Sequence, residues 1–102
     1  MSLPVVYRRQ VGRDLAAGFD YYEEQTQGLG ERFLAAVDSV FDAIEHHPQM
    51  FAQVDGEVRR ALVSRFPYAV FYRAESKRAV VLAVSHTARD PRIWPQPRRS
   101  AR

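Results

Sequence analysis

The hydrophobic period switches partway along the chain, and the switch limits the fold to few choices. Val11, Leu15, Phe19 and Tyr22 recur at helical spacing. Gly28 and Gly30 interrupt the pattern. A second stripe follows in Leu29, Phe33, Val37, Val40 and Ile44, flanked by Leu34 and Phe41, and Pro48 stops it. Glu31 falls in the first turn of this second helix, and His46 and His47 in the last, which suits the helix dipole at both ends. Two amphipathic helices joined by a short glycine turn pack antiparallel.

Beyond Asp55-Gly56 the period becomes that of strands. Val58–Val63, Tyr68–Arg73 and Ala79–Val84 are β-prone runs separated by short turns at Arg65-Phe66-Pro67 and Glu75-Ser76-Lys77. Short connections imply an antiparallel meander. Ala79–Val84 is apolar without alternation, the mark of an interior strand covered on both faces. Val5, Val6 and Tyr7 after Pro4 read as a short edge strand. The expected fold is α+β in the order β-α-α-β-β-β, a helical hairpin on a small twisted, mainly antiparallel sheet. Residues 1–97 form one domain in this reading. Residues 98–102 form a basic flexible tail, with Trp94 anchoring the segment before it.

Composition removes several function classes. With 102 residues and no cysteine, the chain has one core and no thiolate metal site or disulfide. No apolar run reaches the roughly 20 residues of a membrane helix, and the N-terminus does not read as a signal peptide. A cytoplasmic protein with no membrane partner is expected. No ligand spacing points to a metal, Gly28-x-Gly30 lacks the strand and GK[ST] of a phosphate loop, and no cofactor is expected.

Charge is unevenly divided. Residues 1–56 carry 4 Arg against 9 Asp/Glu, a balance of −5; residues 57–102 carry 11 Lys/Arg against 3 Asp/Glu, a balance of +8. Lys77 is the one lysine, so the basic half is an arginine surface suited to phosphate or carboxylate.

These residues, in this order, resemble the RelE/ParE superfamily of bacterial toxin–antitoxin toxins, also called plasmid stabilisation proteins. The resemblance is carried by Asp20-Tyr21-Tyr22, Gly28-Leu29-Gly30-Glu31-Arg32-Phe33 and His47-Pro48. It continues through Val58-Arg59-Arg60, the run from Arg65 to Tyr72, Val80–Val84, His86, Arg89-Asp90-Pro91 and Trp94. It implies a toxin held inactive by a cognate antitoxin, small and partly acidic. Leu15, Phe19, Tyr22, Phe33 and Val37 are the expected antitoxin-binding residues, on helical stripes that four short strands leave partly uncovered.

Two targets follow from the resemblance. A ParE-like toxin inhibits DNA gyrase without catalysis. A RelE-like toxin cleaves mRNA on the ribosome without metal, and here His86, Arg60, Arg65 and Arg89 would be its catalytic residues. Arg59, Arg60, Arg65, Tyr72, Arg89 and Arg92 are the expected target- or phosphate-binding set. The gyrase reading is favoured because Ala69 stands where the ribonucleases usually carry an arginine. A non-toxic basic nucleic-acid-binding module is the third reading. All these readings expect a basic rim of strand ends and turns, with Arg59, Arg60, Arg65, His86 and Arg89 on one shared surface.

Overall fold

The structure, a computed structural model, describes residues 2–88. Its elements are β1 (Val5–Tyr7), α1 (Arg9–Gln25), α2 (Leu29–His46), β2 (Ala52–Asp55), β3 (Val58–Leu62), β4 (Tyr68–Ala74) and β5 (Ala79–His86). They form one five-stranded sheet in the order β1-β5-β4-β3-β2, with both helices packed on it. β1 runs parallel to β5, in register from Val5–Ala79 to Tyr7–Val81. The remaining pairs are antiparallel.

The predicted meander is present, with one strand more than the sequence reading allowed. Residues 52–55, which the sequence places in a loop, pair with β3 as Ala52–Arg60 and Gln53–Arg59. The hairpin turns through Gly56-Glu57, between the paired residues Asp55 and Val58, and Gly56 has φ +57°. The glycine supplies the positive φ that a tight hairpin demands, but the run before it is weakly apolar. The pairing shifts register between Gln53 and Asp55, an irregularity of the kind that blunts an edge strand against further pairing.

The core lies between the helices and the sheet. Phe33, Ile44, Val70, Tyr72, Ala79 and Val81 have no exposed surface. Phe33 sits in an aromatic cluster, with ring centroids 5.3 Å from Tyr22, 5.5 Å from Phe66 and 4.8 Å from Tyr68. β5 lies inside the sheet and is buried over most of its length, as its unbroken apolar run implied.

Two glycines set how closely the helices approach. Gly18 lies under the Phe33 ring, and Gly30 lies against Phe19 and Glu23. The Glu23 carboxylate accepts the backbone N–H groups of Gly28 and Gly30, each at 2.9 Å. An anion on the N-terminus of α2 satisfies orphan donors and suits the dipole. Gly28, at φ +89°, makes the turn between the helices.

This packing takes in several of the residues expected to bind the antitoxin. Tyr22, Phe33 and Val37 are buried in the chain's own core, and Leu15 packs partly against it. The sheet and the turn at Phe66 cover the stripes that were expected to stay open. Apolar periodicity marks a face that will be buried, without saying by what.

Candidate functional site

The strand register separates the arginines. Arg59 and Arg60 are successive residues of β3, so their side chains leave opposite faces of the sheet. Arg59 pairs with Tyr72, on the helix side; Arg60 pairs with Phe71, on the helix-free side.

Arg59 is committed within the chain. One terminal nitrogen donates to the carbonyls of Phe51, at 2.6 Å, and Gln49, at 3.2 Å. The other donates to the Gln49 side chain at 2.9 Å. Beside it, the buried Tyr72 hydroxyl donates to the Pro48 carbonyl at 2.7 Å. Burial pushes the Tyr72 phenol pKa up, which keeps it a donor. Together they tie the α2–β2 connection, residues 47–51, to the sheet. Arg59 and Tyr72 therefore hold the chain's own backbone. Loss of the Tyr72 hydroxyl orphans a buried carbonyl. Tyr72→Phe is expected to cost about 1–3 kcal/mol in urea denaturation, with helix content unchanged.

His86 stands at the other end of the sheet. It pairs with Tyr68, and the two rings are 5.1 Å apart. Its Nδ1 accepts the Ala88 backbone N–H at 3.0 Å. In the neutral ring that bond occupies Nδ1 and leaves Nε2 as the donor. The ring borders a cleft of about 490 Å³ between α1 and β5, with Asp14, Tyr21 and Tyr68 among its walls. Asp14 reaches across to accept the Val84 N–H at 2.8 Å. No arginine lines this cleft among the described residues, and its charged wall is a carboxylate, which repels phosphate.

The shared basic rim is therefore not assembled among the described residues. His86 lies on the helix side with Tyr68, Arg60 lies on the opposite face, and Arg59 is engaged in a loop. Arg65 occupies the β3–β4 turn at φ +71°. Ala69 is 2% exposed, so its position offers no surface to a substrate. Arg89, Asp90, Arg92, Trp94 and the 98–102 tail lie outside the described residues. Asp42, Glu45 and His46 form a group on α2 with ligand atoms within 4.8 Å of one another, and all three are exposed. Their i, i+3, i+4 spacing puts the three side chains on one face of the helix. His46 Nδ1 contacts the Asp42 carbonyl at 2.9 Å, as a residue closing a helix does.

An α-helical hairpin on one face of a five-stranded mixed sheet is the architecture of the RelE/ParE-like toxins. The chain matches the fold of a chain from the chromosomal ParDE toxin–antitoxin system of P. aeruginosa. The TM-score is 0.74 and the identity 16%, over 83% of this chain and 96% of that one. The comparison with curated proteins returns no match. Residues 5–91 match the model of the ParE toxin of the type II toxin–antitoxin system parDE, and the chain belongs to that family.

Proposed function

We propose that the chain is the toxin of a two-gene module and stops growth by binding DNA gyrase, without catalysis. It acts in the cytoplasm and is neutralised by a small, partly acidic antitoxin. The observation that carries the reading is the separation of His86 from Arg60 by the thickness of the sheet. RNA cleavage through the 2′-hydroxyl needs a base and phosphate-holding cations around one atom. Here the histidine has Asp14 as its charged neighbour in the cleft, and its Nδ1 is taken by the Ala88 N–H. Inhibition by binding requires no such constellation. Arg60, exposed on the helix-free face beside Leu62, is the described arginine best placed to meet the target.

Tightly controlled expression tests this. Filamentous cells with chromosome breaks are expected, together with loss of supercoiling by gyrase treated with the purified chain. His86→Ala is expected to kill as well as the unsubstituted chain. A translation arrest within minutes, abolished by His86→Ala, would instead establish the ribonuclease. Harmless expression of a folded chain would leave the basic nucleic-acid-binding module.

A further inference from the structure

The two outer edges of the sheet are unlike. β2 is irregular, with its register shift between Gln53 and Asp55. β1 pairs with β5 in continuous register from Val5 to Tyr7. The Pro4 carbonyl accepts the Ala79 N–H, and the Arg8 N–H donates to the Val81 carbonyl, each at 2.9 Å. Residues 4, 6 and 8 therefore turn their backbone toward β5. The alternation leaves the N–H and C=O groups of Val5 and Tyr7 pointing outward, and among the described residues no strand pairs with them. The N–H that Pro4 lacks falls on the inner side, where its absence does not blunt the outer edge.

The side chains around this edge are apolar and exposed. Val6 is 37% exposed and Tyr7 51%. The Tyr7 ring lies 5.0 Å from Phe41 of α2. Leu34, Asp38, Phe41 and Glu45 follow at helical spacing, one stripe of α2 beside the strand. The Leu3 N–H donates to the Glu45 carbonyl at 2.9 Å, so Glu45 stands at the start of the edge, whereas Arg8 and Arg9 stand at its end. Burial, and then the Asp38 and Glu45 carboxylates, push the Tyr7 phenol pKa up, which places both acids near that ring. Arg8, Arg9, Asp38 and Glu45 have no ion pair among the described residues.

We infer that this edge joins a second copy of the chain, β1 antiparallel to β1, making one continuous sheet across a twofold axis at Val6. The inference is independent of the gyrase reading. In this register Val5 stands opposite the partner's Tyr7, and the two exchange both of their outward hydrogen bonds. Val6 meets the partner's Val6 at a non-hydrogen-bonded position, where Cα atoms come within about 4.5 Å and apolar side chains touch. The same register brings each Arg9 beside the partner's Leu3, and so to the partner's Glu45. A foreign strand would need its own matching charges, whereas a second copy carries the cation at one end and the carboxylate at the other by symmetry. The strand is short, so the dimer is expected to be weak, with a Kd of about 10–100 µM.

Sedimentation velocity on the purified full-length chain, from about 5 to 300 µM, tests this. A monomer–dimer equilibrium is expected. Amide exchange at Val5 and Tyr7 is expected to slow as concentration rises, while Val6, already bonded to β5, does not change. Val6→Lys sets two like charges face to face and is expected to weaken the dimer about tenfold or more, with the melting temperature of the monomer unchanged. Arg9→Glu is expected to weaken it by about tenfold, because each substitution acts at both ends of the interface. The swap Arg9→Glu/Glu45→Arg is expected to restore it to within about twofold, which a merely structural effect of either residue would not do. Gln53→Lys, on the opposite edge of the sheet, is expected to leave the dimer unchanged. A chain that stays monomeric across this range overturns the proposal. So does a dimer that survives Val6→Lys while Val5 and Tyr7 exchange freely, since it joins elsewhere. Protection of the same two amides by the product of the adjacent reading frame, with no dimer of the chain alone, would give the edge to that partner and also overturn it.

Discussion

Phe33→Ala is expected to lower folding stability by about 3–5 kcal/mol, read as a fall in the urea midpoint at constant slope. The ring has no exposed surface and contacts three other aromatic residues from α1, β4 and the β3–β4 turn. Truncation removes a transfer contribution of about 2–3 kcal/mol and leaves a cavity that rigid rings cannot fill. A domain of this size has about 5–15 kcal/mol in total, so the variant remains folded with little reserve. The antitoxin, binding the folded chain, is expected to raise the variant's melting temperature roughly with the logarithm of its free concentration. A loss under 1 kcal/mol would mean that Phe33 is a surface residue awaiting a partner, as its place on a helical stripe first suggested.

Gly30→Ala is expected to destabilise by about 1–3 kcal/mol, against the ordinary preference of helices. Alanine is favoured over glycine within a helix by about 1 kcal/mol. At Gly30 the added Cβ would lie 2.7 Å from Phe19 Cδ2, 2.8 Å from the Phe19 carbonyl oxygen and 2.9 Å from the Glu23 carboxylate. A side chain can turn away, but the Phe19 backbone moves only if α1 moves. The same shift displaces Glu23 from the start of α2, where it accepts two N–H groups. Gly12, with nothing within 4 Å of its virtual Cβ, is the control. Gly12→Ala is expected to stabilise by about 0.5–1 kcal/mol. Thermal denaturation of the two variants side by side settles the point: opposite signs are required.

Much of this architecture was written in local periodicity. Both helices, their turn at Gly28 and the strands from Val58 onward follow from spacing and breakers, because those signals are physical properties of short segments. β2 carries no local signal, because its pairing with β3 supplies what its weakly apolar residues 52–55 do not. The site was less legible. Arg59 and Tyr72 have the chemistry of ligand-binding residues, yet both are spent on carbonyls between Pro48 and Phe51. Whether an arginine faces outward or pins a loop depends on contacts 8 to 24 residues away. The alternation of Arg59 and Arg60 between faces, by contrast, could be read from the strand alone, and it counts against a basic rim that holds both.

The parallel pairing of β1 with β5 bears on the order of events at the ribosome. Val5 finds Ala79, 74 residues later in the chain. At about 5–20 residues per second, several seconds pass before the first strand has a neighbour. Until then the growing polypeptide carries a helical hairpin with no finished sheet beneath it. A chain built this way closes its sheet only once β5 has been made, so its first strand depends on nearly its last for a partner.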